Sequence, residues 1–344
     1  MGNTRLAVIG LNMGKVHVKN ILSQKSGVEL AALCDISEIH RPYAEENRIK
    51  FYTDYKETLC REKPDGVVIA LPPHLHREVG EYCAERGVHI LMEKPVSYTL
   101  QEADALVEAV NRRGVKMLVG HQHRFDPGVR SVKDRIQPGA ENKLIGFHVF
   151  GVYAKPQGYF KDQWRRMRMS GGGPVTSNGI HDIDRIRYLC GEIETVTALM
   201  SNACRGFEVE DTAAVSIKCR NGAVGTYFIS DCGYPASEFT DFYYTSGASF
   251  RFTCSSFYQT VAGHAVDEIS LGDTGEQYHL RERKTNSVVH PVQDNHLAEM
   301  QHFIRVVKGL EEPMCTGEDG RRSLQALLAV IESAAKGKTI SLTI

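Results

Sequence analysis

The chain has 344 residues, a length that fits two domains better than one hydrophobic core. Hydrophobic residues make up 42% and charged residues 24% of it, values typical of globular proteins that exclude disordered, collagen-like and coiled-coil classes. A formal net charge of -1 offers no basic field for a polyanion, so we expect no nucleic-acid partner.

The N-terminal run MGNTRLAVIG lacks the basic and apolar regions of a secretory signal. No window approaches the roughly 18 consecutive apolar residues that cross a bilayer. Nine cysteines, scattered without CxxC pairs, are typical of free thiols rather than of disulfides or a zinc site. We therefore expect a cytoplasmic protein with no membrane partner and no metal.

The first third of the chain alternates short apolar runs with amphipathic stretches. The apolar runs predict strands at Arg5–Ile9, Val28–Cys34, Gly66–Ala70, His89–Met92 and Met117–Gly120. Apolar residues at three- and four-residue spacing predict helices at Leu75–Arg86 and Leu100–Arg112. Strands that alternate with helices indicate a parallel, doubly wound sheet, an N-terminal Rossmann domain.

After about Asp126 the pattern changes to longer runs of alternating polarity separated by loops. These runs predict strands at Ile145–Val152, Thr195–Met200, Thr212–Cys219 and Val224–Ser230, and two amphipathic helices follow at Asn295–Lys308 and Arg321–Lys336. The pattern indicates a C-terminal α+β domain with a large, mostly antiparallel open sheet. We place the domains at 1–125 and 126–344.

The turn after the first predicted strand has the composition of a pyrophosphate-binding loop. Glycines there let the backbone approach a phosphate, which the N-terminus of the next helix stabilises. The candidate cofactor contacts are consecutive: Gly10, Leu11, Asn12, Met13 and Gly14. The turn is not a full GxGxxG, because Asn12 stands where a glycine is expected and the turn is one residue short. A tight turn without a ligand is the alternative interpretation.

Asp35 ends the second predicted strand, about 25 residues after Gly10. An acidic side chain at that place accepts hydrogen bonds from an adenosine ribose and repels a 2′-phosphate. An exposed strand-end aspartate is the alternative. Turn, spacing and strand together predict dinucleotide binding, with NAD favoured over NADP.

Two further segments follow strands of the same sheet, where ligands of open α/β sheets bind. In Leu71-Pro72-Pro73-His74-Leu75-His76, the two histidines either face the cofactor or lie in solvent in the first helical turn. In Glu93-Lys94-Pro95, the lysine either donates to a substrate hydroxyl or is a surface residue of a turn.

Taken together, these pieces resemble the glucose–fructose oxidoreductase / inositol dehydrogenase / rhizopine catabolism (Gfo/Idh/MocA) family. The matching segments are VIGLNMGKVH, Asp35, the run from Asp65 through ALPPHLH, LMEKP, GHQHRFDP, GGGPVTSNGIHDIDRIRYLCGE and EDGRRSLQALLAVIESAAKGKTI. The similarity spans nearly all residues from Arg5 onward. It implies hydride transfer between NAD and a carbinol carbon of a sugar, cyclitol or related polyol, and a homodimer or homotetramer built through the C-terminal sheet.

The resemblance also implies residue roles. Lys94 matches the family's lysine that contacts substrate and cofactor, and His181 matches its general acid/base histidine. Trp164 and Arg165 resemble a pair close to the nicotinamide. The candidate cofactor contacts therefore extend to Leu71, Pro72, His76, Glu93, Lys94, Gln122, Trp164 and Arg165. The candidate substrate contacts are Lys94, Arg124, Asn178, His181 and Asp184.

One departure concerns the histidine. Many members carry an aspartate four residues before it, and here that position is Ser177, which can orient an imidazole but cannot stabilise imidazolium as a carboxylate does. Asp184, three residues after His181, shares its helix face and is a partial replacement, so we count it with Lys94 and His181 as catalytic. A helix N-terminal aspartate, favoured by the macrodipole, is the alternative. For His181, the alternative is a structural core histidine.

Three functions remain open at this point. The first is an NAD-dependent dehydrogenase that acts on CH–OH groups. The second uses NAD as a resident cofactor for glycoside cleavage or isomerisation with no net redox change. The third is a non-catalytic dinucleotide-binding protein.

Overall fold

The computed structural model describes residues 3–135, 143–245, 249–253, 257–260, 285–288 and 294–343. For Arg135, Trp164, Met169 and the described residues from Phe252 to Val288, only the backbone is described. These residues form two compact units. The first contains the chain up to Phe125 together with Met167–Gly172 and Asp294–Gln325. The second contains Asp126–Arg166, Gly173–Gln293 and Ala326–Ile344. The sequence-based division at 125/126 stays a prediction about domains. The compact units differ from it because the two later segments group with the first.

The first unit is built on a six-stranded sheet whose strands are all parallel. Its strands are β1 Thr4–Ile9, β2 Val28–Cys34, β3 Lys50–Tyr52, β4 Gly66–Ile69, β5 His89–Met92 and β6 Met117–Val119. Their order is β3-β2-β1-β4-β5-β6, the doubly wound Rossmann order. Val67, Val68 and Ile69 of β4 are fully buried because helices cover both faces of such a sheet.

Helices connect these strands. They are α1 Gly14–Leu22, α2 Arg41–Glu46, α3 Tyr55–Glu62, α4 His76–Glu85 and α5 Leu100–Arg113. The best-defined ends belong to α5. Thr99 and Glu102 form a reciprocal capping box at its start, and Gly114 ends it with a φ of 64°. These local signals explain why α5 was predicted almost to the residue.

The second unit contains a nine-stranded mixed sheet. Its strands are β7 Leu144–Val152, β8 Ile193–Ser201, β9 Thr212–Cys219, β10 Val224–Ser230, β11 Ser237–Tyr244, β12 Ser249–Thr253, β13 Phe257–Thr260, β14 Thr285–Val288 and β15 Ile340–Ser341. Their order is β14-β13-β12-β11-β7-β10-β9-β8-β15. The pair β7–β10 is parallel, and the other pairs are antiparallel. The predicted fold class is therefore confirmed.

The remaining helices are α6 Pro127–Arg135, α7 Pro174–Ser177, α8 Gly179–Cys190, α9 Asn295–Val307 and α10 Gly317–Lys336. The expectation of loops without full helices between the long strands was wrong at α8, which has 12 residues. Its periodicity is hidden because polar residues such as Asp184 and Arg187 are buried along with the apolar ones. The described residues include no helix long and apolar enough to cross a bilayer.

Candidate functional site

The β1–α1 turn brings bare backbone to the carboxyl edge of the parallel sheet. Gly10 has a φ of 90°, and a Cβ there would lie 2.4 Å from the carbonyl oxygen of Ala70. A Cβ on Gly14 would lie 2.9 Å from Cγ1 of Val8, so glycine lets α1 pack closely on β1. Asn12 and Met13 are exposed, and no side chain caps α1. The start of α1 therefore presents N–H groups that suit an anion.

Asp35 is tied to this turn. Its Oδ2 accepts a hydrogen bond of 2.7 Å from the backbone N–H of Leu11, and its Oδ1 accepts one of 2.9 Å from the N–H of Ser37. A carboxylate has about four lone-pair sites, so it can still accept from ribose hydroxyls. The short turn is closed by Asp35 itself, and the residues present fit a dinucleotide.

His76 lies in the first turn of α4, but it is buried rather than exposed to solvent. Its ring is 0% exposed, with Nε2 2.8 Å from the carbonyl oxygen of Leu71 and Nδ1 2.9 Å from that of Pro95. Burial lowers the pKa of His76, and the two carbonyls oppose that effect. Both nitrogens face backbone carbonyls of the loops after β4 and β5, and a neutral imidazole donates a hydrogen bond to one of the two. A cofactor contact of His76 stays a prediction. Leu71 is half-buried and Pro72 is exposed on the same loop.

Glu93 is a buried carboxylate at the end of β5. Its Oε1 lies 2.8 Å from Nε2 of His17, and its Oε2 accepts a hydrogen bond of 3.2 Å from the backbone N–H of Lys94. Burial alone would raise the pKa of Glu93. The hydrogen bond from His17, together with the charge of Lys94, outweighs it and lowers the pKa to about 2. Glu93 is therefore an anion that accepts a hydrogen bond from the backbone of Lys94.

Lys94 is half-buried at the same edge. Burial lowers its pKa from the ordinary 10.5, and the Glu93 carboxylate opposes the shift. A lysine with a lowered pKa can exchange a proton with a reacting oxygen more readily than a surface lysine can.

Two of the predicted contacts, Gln122 and Arg124, follow β6 and differ in exposure. Gln122 is half-buried at the start of a 3-10 helix, Gln122–Phe125. Arg124 is buried, and its guanidinium donates to the Met314 carbonyl at 2.8 Å and lies 3.5 Å from the Asp319 carboxylate. The guanidinium therefore binds the segment that leads into α10, and a substrate contact of Arg124 stays a prediction.

In the second unit, a glycine run positions the predicted general base. Gly173 has a φ of 85°, and a Cβ there would lie 2.5 Å from Oε1 of Glu210, which also accepts the N–H of Val175 at 3.1 Å. A Cβ on Gly179 would lie 2.5 Å from the Tyr227 hydroxyl. Glycine at both positions lets α7 and the start of α8 pack against Glu210 and β10.

The catalytic candidates of this unit lie at the start of α8. Asn178 is half-buried, and its carbonyl accepts the backbone N–H of His181 at 3.0 Å. His181 is 8% exposed. Asp184 is 1% exposed, in the second turn of α8, with its Oδ1 4.0 Å from Nη1 of Arg187. The first-turn acid of α8 is Asp182, so the macrodipole explanation applies to that residue and not to Asp184.

Asp182 belongs to a buried polar network beside the general base candidate. Its Oδ1 accepts a hydrogen bond of 2.6 Å from Arg185, which also donates to the Thr240 hydroxyl at 2.9 Å. Burial raises the pKa of Asp182 to about 6, and the charge of Arg185 opposes the rise. The network holds the start of α8 on β11.

Arg165 lies over the ring of Tyr159, at 3.9 Å from the ring centroid, and 3.5 Å from Asp162. The side chain of its predicted partner Trp164 lies outside the described residues.

One group of side chains in the second unit has the composition of a metal site. Ligand atoms of Cys204, Asp211 and Cys232 lie within 4.8 Å of one another. The Asp211 carboxylate already accepts the N–H groups of Cys204 and Arg205, at 2.9 and 3.0 Å, and the hydroxyl of Thr212 at 3.0 Å. We therefore interpret Asp211 as the anchor of its loop.

Sequence reasoning missed His17, which contacts Glu93, and it missed Glu299. His17 lies on the buried face of α1, with Asn20 three residues later, and Glu299 lies on the buried face of α9. The available signal was polar residues at apolar-face positions of two amphipathic helices, His17 and Asn20 in one and His296 and Glu299 in the other.

Two family models match the chain. One, described as "Oxidoreductase family, NAD-binding Rossmann fold", matches residues 4–121. The other, described as "Oxidoreductase family, C-terminal alpha/beta domain", matches residues 143–342.

Individual relatives agree with these matches. Myo-inositol 2-dehydrogenase of Thermotoga maritima is 26% identical, over 98% of this chain and 98% of that protein. The 2,7-anhydro-N-acetylneuraminate hydratase of Mediterraneibacter gnavus is 29% identical, over 57% of this chain and 52% of that protein. A solved structure of levoglucosan dehydrogenase, in complex with NADH and levoglucosan, has a TM-score of 0.85 at 21% identity and covers 100% of both chains. At that identity the likeness shows the shared fold.

Proposed function

The chain belongs to the Gfo/Idh/MocA family of oxidoreductases, and on that premise we propose that it transfers a hydride between NAD and a carbinol carbon of a sugar, cyclitol or related polyol. The observation that carries the proposal is the bare Gly10 turn closed by Asp35, with Lys94 and its buried Glu93 partner at the same sheet edge. The names of the inositol and levoglucosan dehydrogenases favour this substrate class.

The first unit supplies the residues that hold the cofactor. The backbone of Gly10–Gly14 and the start of α1 bind the pyrophosphate, and Asp35 accepts hydrogen bonds from the adenosine ribose. Leu71, Pro72, Gln122 and Arg165 remain proposed cofactor contacts. When bound, NAD supplies the hydride acceptor. The acidic Asp35 favours NAD over NADP because it would repel a 2′-phosphate.

Two side chains act on the substrate hydroxyl. The His181 imidazole accepts the hydroxyl proton while the carbinol carbon loses its hydride. The Lys94 ammonium donates a hydrogen bond to the same oxygen and stabilises the negative charge that develops on it. Asn178 and Asp184 orient His181, and Asp184 in turn is held by Arg187. In the reductive direction the same groups return the proton.

The test is a screen of sugars and cyclitols with NAD and with NADP, followed by absorbance of the reduced cofactor. With an active substrate, His181→Ala and Lys94→Ala should each lower kcat by roughly 100- to 10,000-fold, with NADH binding largely unchanged. Lys19→Ala, at an exposed position of α1, is the matched control. Near-normal turnover in either site variant removes that residue from the mechanism.

A second candidate function is favoured by the name of the hydratase relative. In it, transient oxidation acidifies a neighbouring C–H bond, a glycosidic or ether bond is eliminated, and the hydride is then returned. Product would form without net accumulation of reduced cofactor, so the same absorbance measurement, combined with product analysis, separates the two candidates.

We also propose that the protein is a cytoplasmic homodimer or homotetramer that uses one face of the nine-stranded sheet. The outward face of β7, β10 and β11 carries stacked rings of Phe150, Phe228 and Phe239, with centroids 5.2 to 5.4 Å apart. Leu199 and Val224, on β8 and β10, are 75% and 57% exposed. An apolar face of this kind is typical of an interface. Sedimentation that gives a monomer at micromolar concentration would contradict the proposal.

A further inference from the structure

Several buried polar atoms that lack hydrogen-bond partners lie on α1 and α9, which pack together and are linked to Glu93 through His17. Among the described residues, hydrogen-bond partners are missing for Nδ1 of His17, Nδ2 of Asn20, Oδ1 of Asn295, Nδ1 of His296 and both carboxyl oxygens of Glu299. Each of these atoms is buried, and Glu299 is 1% exposed. Buried polar groups are nearly always hydrogen-bonded, to protein or to ordered water. Six such atoms on two packed helices therefore indicate ordered water between α1 and α9.

The hydrogen-bonding polarity of His17 follows from its contact with Glu93. A carboxylate only accepts hydrogen bonds, so Nε2 of His17, 2.8 Å from Oε1 of Glu93, carries the hydrogen. In a neutral imidazole the other nitrogen, Nδ1, is then an acceptor. Nδ1 of His17 therefore needs a hydrogen-bond donor from another group between α1 and α9.

Glu299 supplies that donor. Burial lowers the pKa of the nearby His296, which disfavours it as a counter-ion. A buried carboxylate without a cation or a hydrogen-bond donor is strongly disfavoured, so a neutral carboxylic acid with an O–H is favoured. Burial, with the nearby negative charge of Glu93, raises the pKa of Glu299 well above its ordinary value.

Glu299 and His296 lie close together but are not directly hydrogen-bonded. Nδ1 of His296 lies 4.0 Å from Oε2 of Glu299, too far for a direct hydrogen bond. The rings of His296 and His17 meet edge to face, with centroids 6.1 Å apart. A water molecule between Glu299 and the two imidazoles would satisfy several of the unpartnered atoms at once.

We propose that Glu299 is a positioning residue for the Glu93–Lys94 pair: it donates, through an ordered water, to Nδ1 of His17 and thereby fixes the tautomer whose Nε2–H holds Glu93. The chain of hydrogen bonds then runs in one direction from Glu299 to His17 to Glu93. The second oxygen of Glu93 accepts the backbone N–H of Lys94, so the chain ends at the proposed catalytic lysine. The inference rests on the proposed function only for the role of Lys94.

Other titratable groups on the elements packed against α9 are accounted for. Helix α1 carries Lys15, His17 and Lys19, and His17 contacts Glu93. Helix α9 itself also carries His296, His302 and Arg305, and the last two are bound to Glu311. The 3-10 helix Gln122–Phe125 also packs on α9 and carries His123 and Arg124. The Arg124 guanidinium is bound by Met314 and Asp319.

The test compares Glu299→Gln, whose amide can still donate a hydrogen bond, with Glu299→Leu, which cannot. The primary readout is the ¹⁵N NMR spectrum of His17 in the protein without cofactor. We expect hydrogen on Nε2 and not on Nδ1 in wild type and in Glu299→Gln, and loss of this preference in Glu299→Leu. Glu318→Leu, at an exposed position of α10, is the control. The carbonyl-stretch infrared band of a buried carboxylic acid should disappear in both Glu299 variants.

Activity gives the second readout. Glu299→Leu should lower kcat at least about tenfold while NADH affinity changes little, and Glu299→Gln should restore most of the rate. If Glu299→Leu does not fold, Glu299→Met, which is closer in volume, takes its place.

Hydrogen on Nδ1 of wild-type His17, or an unchanged His17 spectrum in the apolar variant, would overturn the proposal. The proposed function would fail differently, as a protein that reduces NAD with none of the polyols while the His17 assignments stand.

Discussion

The carboxylate of Asp35 holds the β1–α1 turn by accepting the backbone N–H of Leu11 at 2.7 Å. A single side chain therefore does two things: it closes a turn that is one residue short, and it places a negative charge at the end of β2. The two effects can be separated by substitution.

Asp35→Ser should raise the ratio of kcat/KM for NADP to that for NAD by at least about tenfold, or ~1.4 kcal/mol, because the charge that repels a 2′-phosphate is gone. Initial rates with both cofactors measure it. NAD affinity should fall as well, because the turn loses its anchor. An unchanged ratio would show that the discriminating contact lies elsewhere.

Gly10→Ala should destabilise the protein by more than about 2 kcal/mol, because the new Cβ meets the Ala70 carbonyl and the backbone is left-handed. Gly87→Ala is the matched control: its φ is 72°, but nothing lies within 4 Å of the added Cβ. The Gly87→Ala control should lower the free energy of unfolding by about 1 to 2 kcal/mol. Denaturant unfolding of both variants checks the difference, and equal losses would rule out the steric explanation.

The pH dependence of kcat/KM should report Lys94. The proposed active form is the ammonium, so activity is present below the lowered pKa of Lys94 and falls as pH rises through it, below the ordinary 10.5. In Glu93→Gln the carboxylate that raises this pKa is absent, so the alkaline limb should move to lower pH. A limb that stays in place, or moves up, would argue against the ammonium as the active form.

Arg185→Met should be destabilising chiefly at alkaline pH. The pKa of Asp182 is about 6, so at pH 8 its carboxylate is charged and loses its partner, at a cost of about 3 to 5 kcal/mol. At pH 5 the carboxyl group is protonated in both proteins, and the difference should be smaller. Urea unfolding at the two pH values measures it. A loss independent of pH would mean that Asp182 does not titrate in this range.

The sequence was sufficient wherever local rules and burial agree. The strands β2, β9 and β10 were predicted to the residue because their apolar patterns match their burial. The short strand β3 and helix α3 were missed because each buries few side chains, so neither has a clear hydrophobic period.

The site could be predicted only as far as motifs reach. Asp35 and Lys94 follow strands of a predicted sheet, and that position alone marks them. No sequence motif indicates which buried groups are hydrogen-bonded to one another. The ligand contacts of His76 and Arg124 stay predictions, and the sequence did not indicate that both side chains are buried beside backbone carbonyls. His17 and Glu299, 282 positions apart by their numbering, lie on α1 and α9, and only the packing of these two helices relates them.

His76 has a consequence for how the specificity of such a protein could diverge. Because one buried imidazole packs between the carbonyls of Leu71 and Pro95, a change in the shape of the loop after β4 or after β5 would disturb the other loop. Insertions in either loop would break a buried contact that the other needs. New substrate ranges would then arise most readily in the connection between β7 and α7, where the half-buried Tyr159 packs against Arg165.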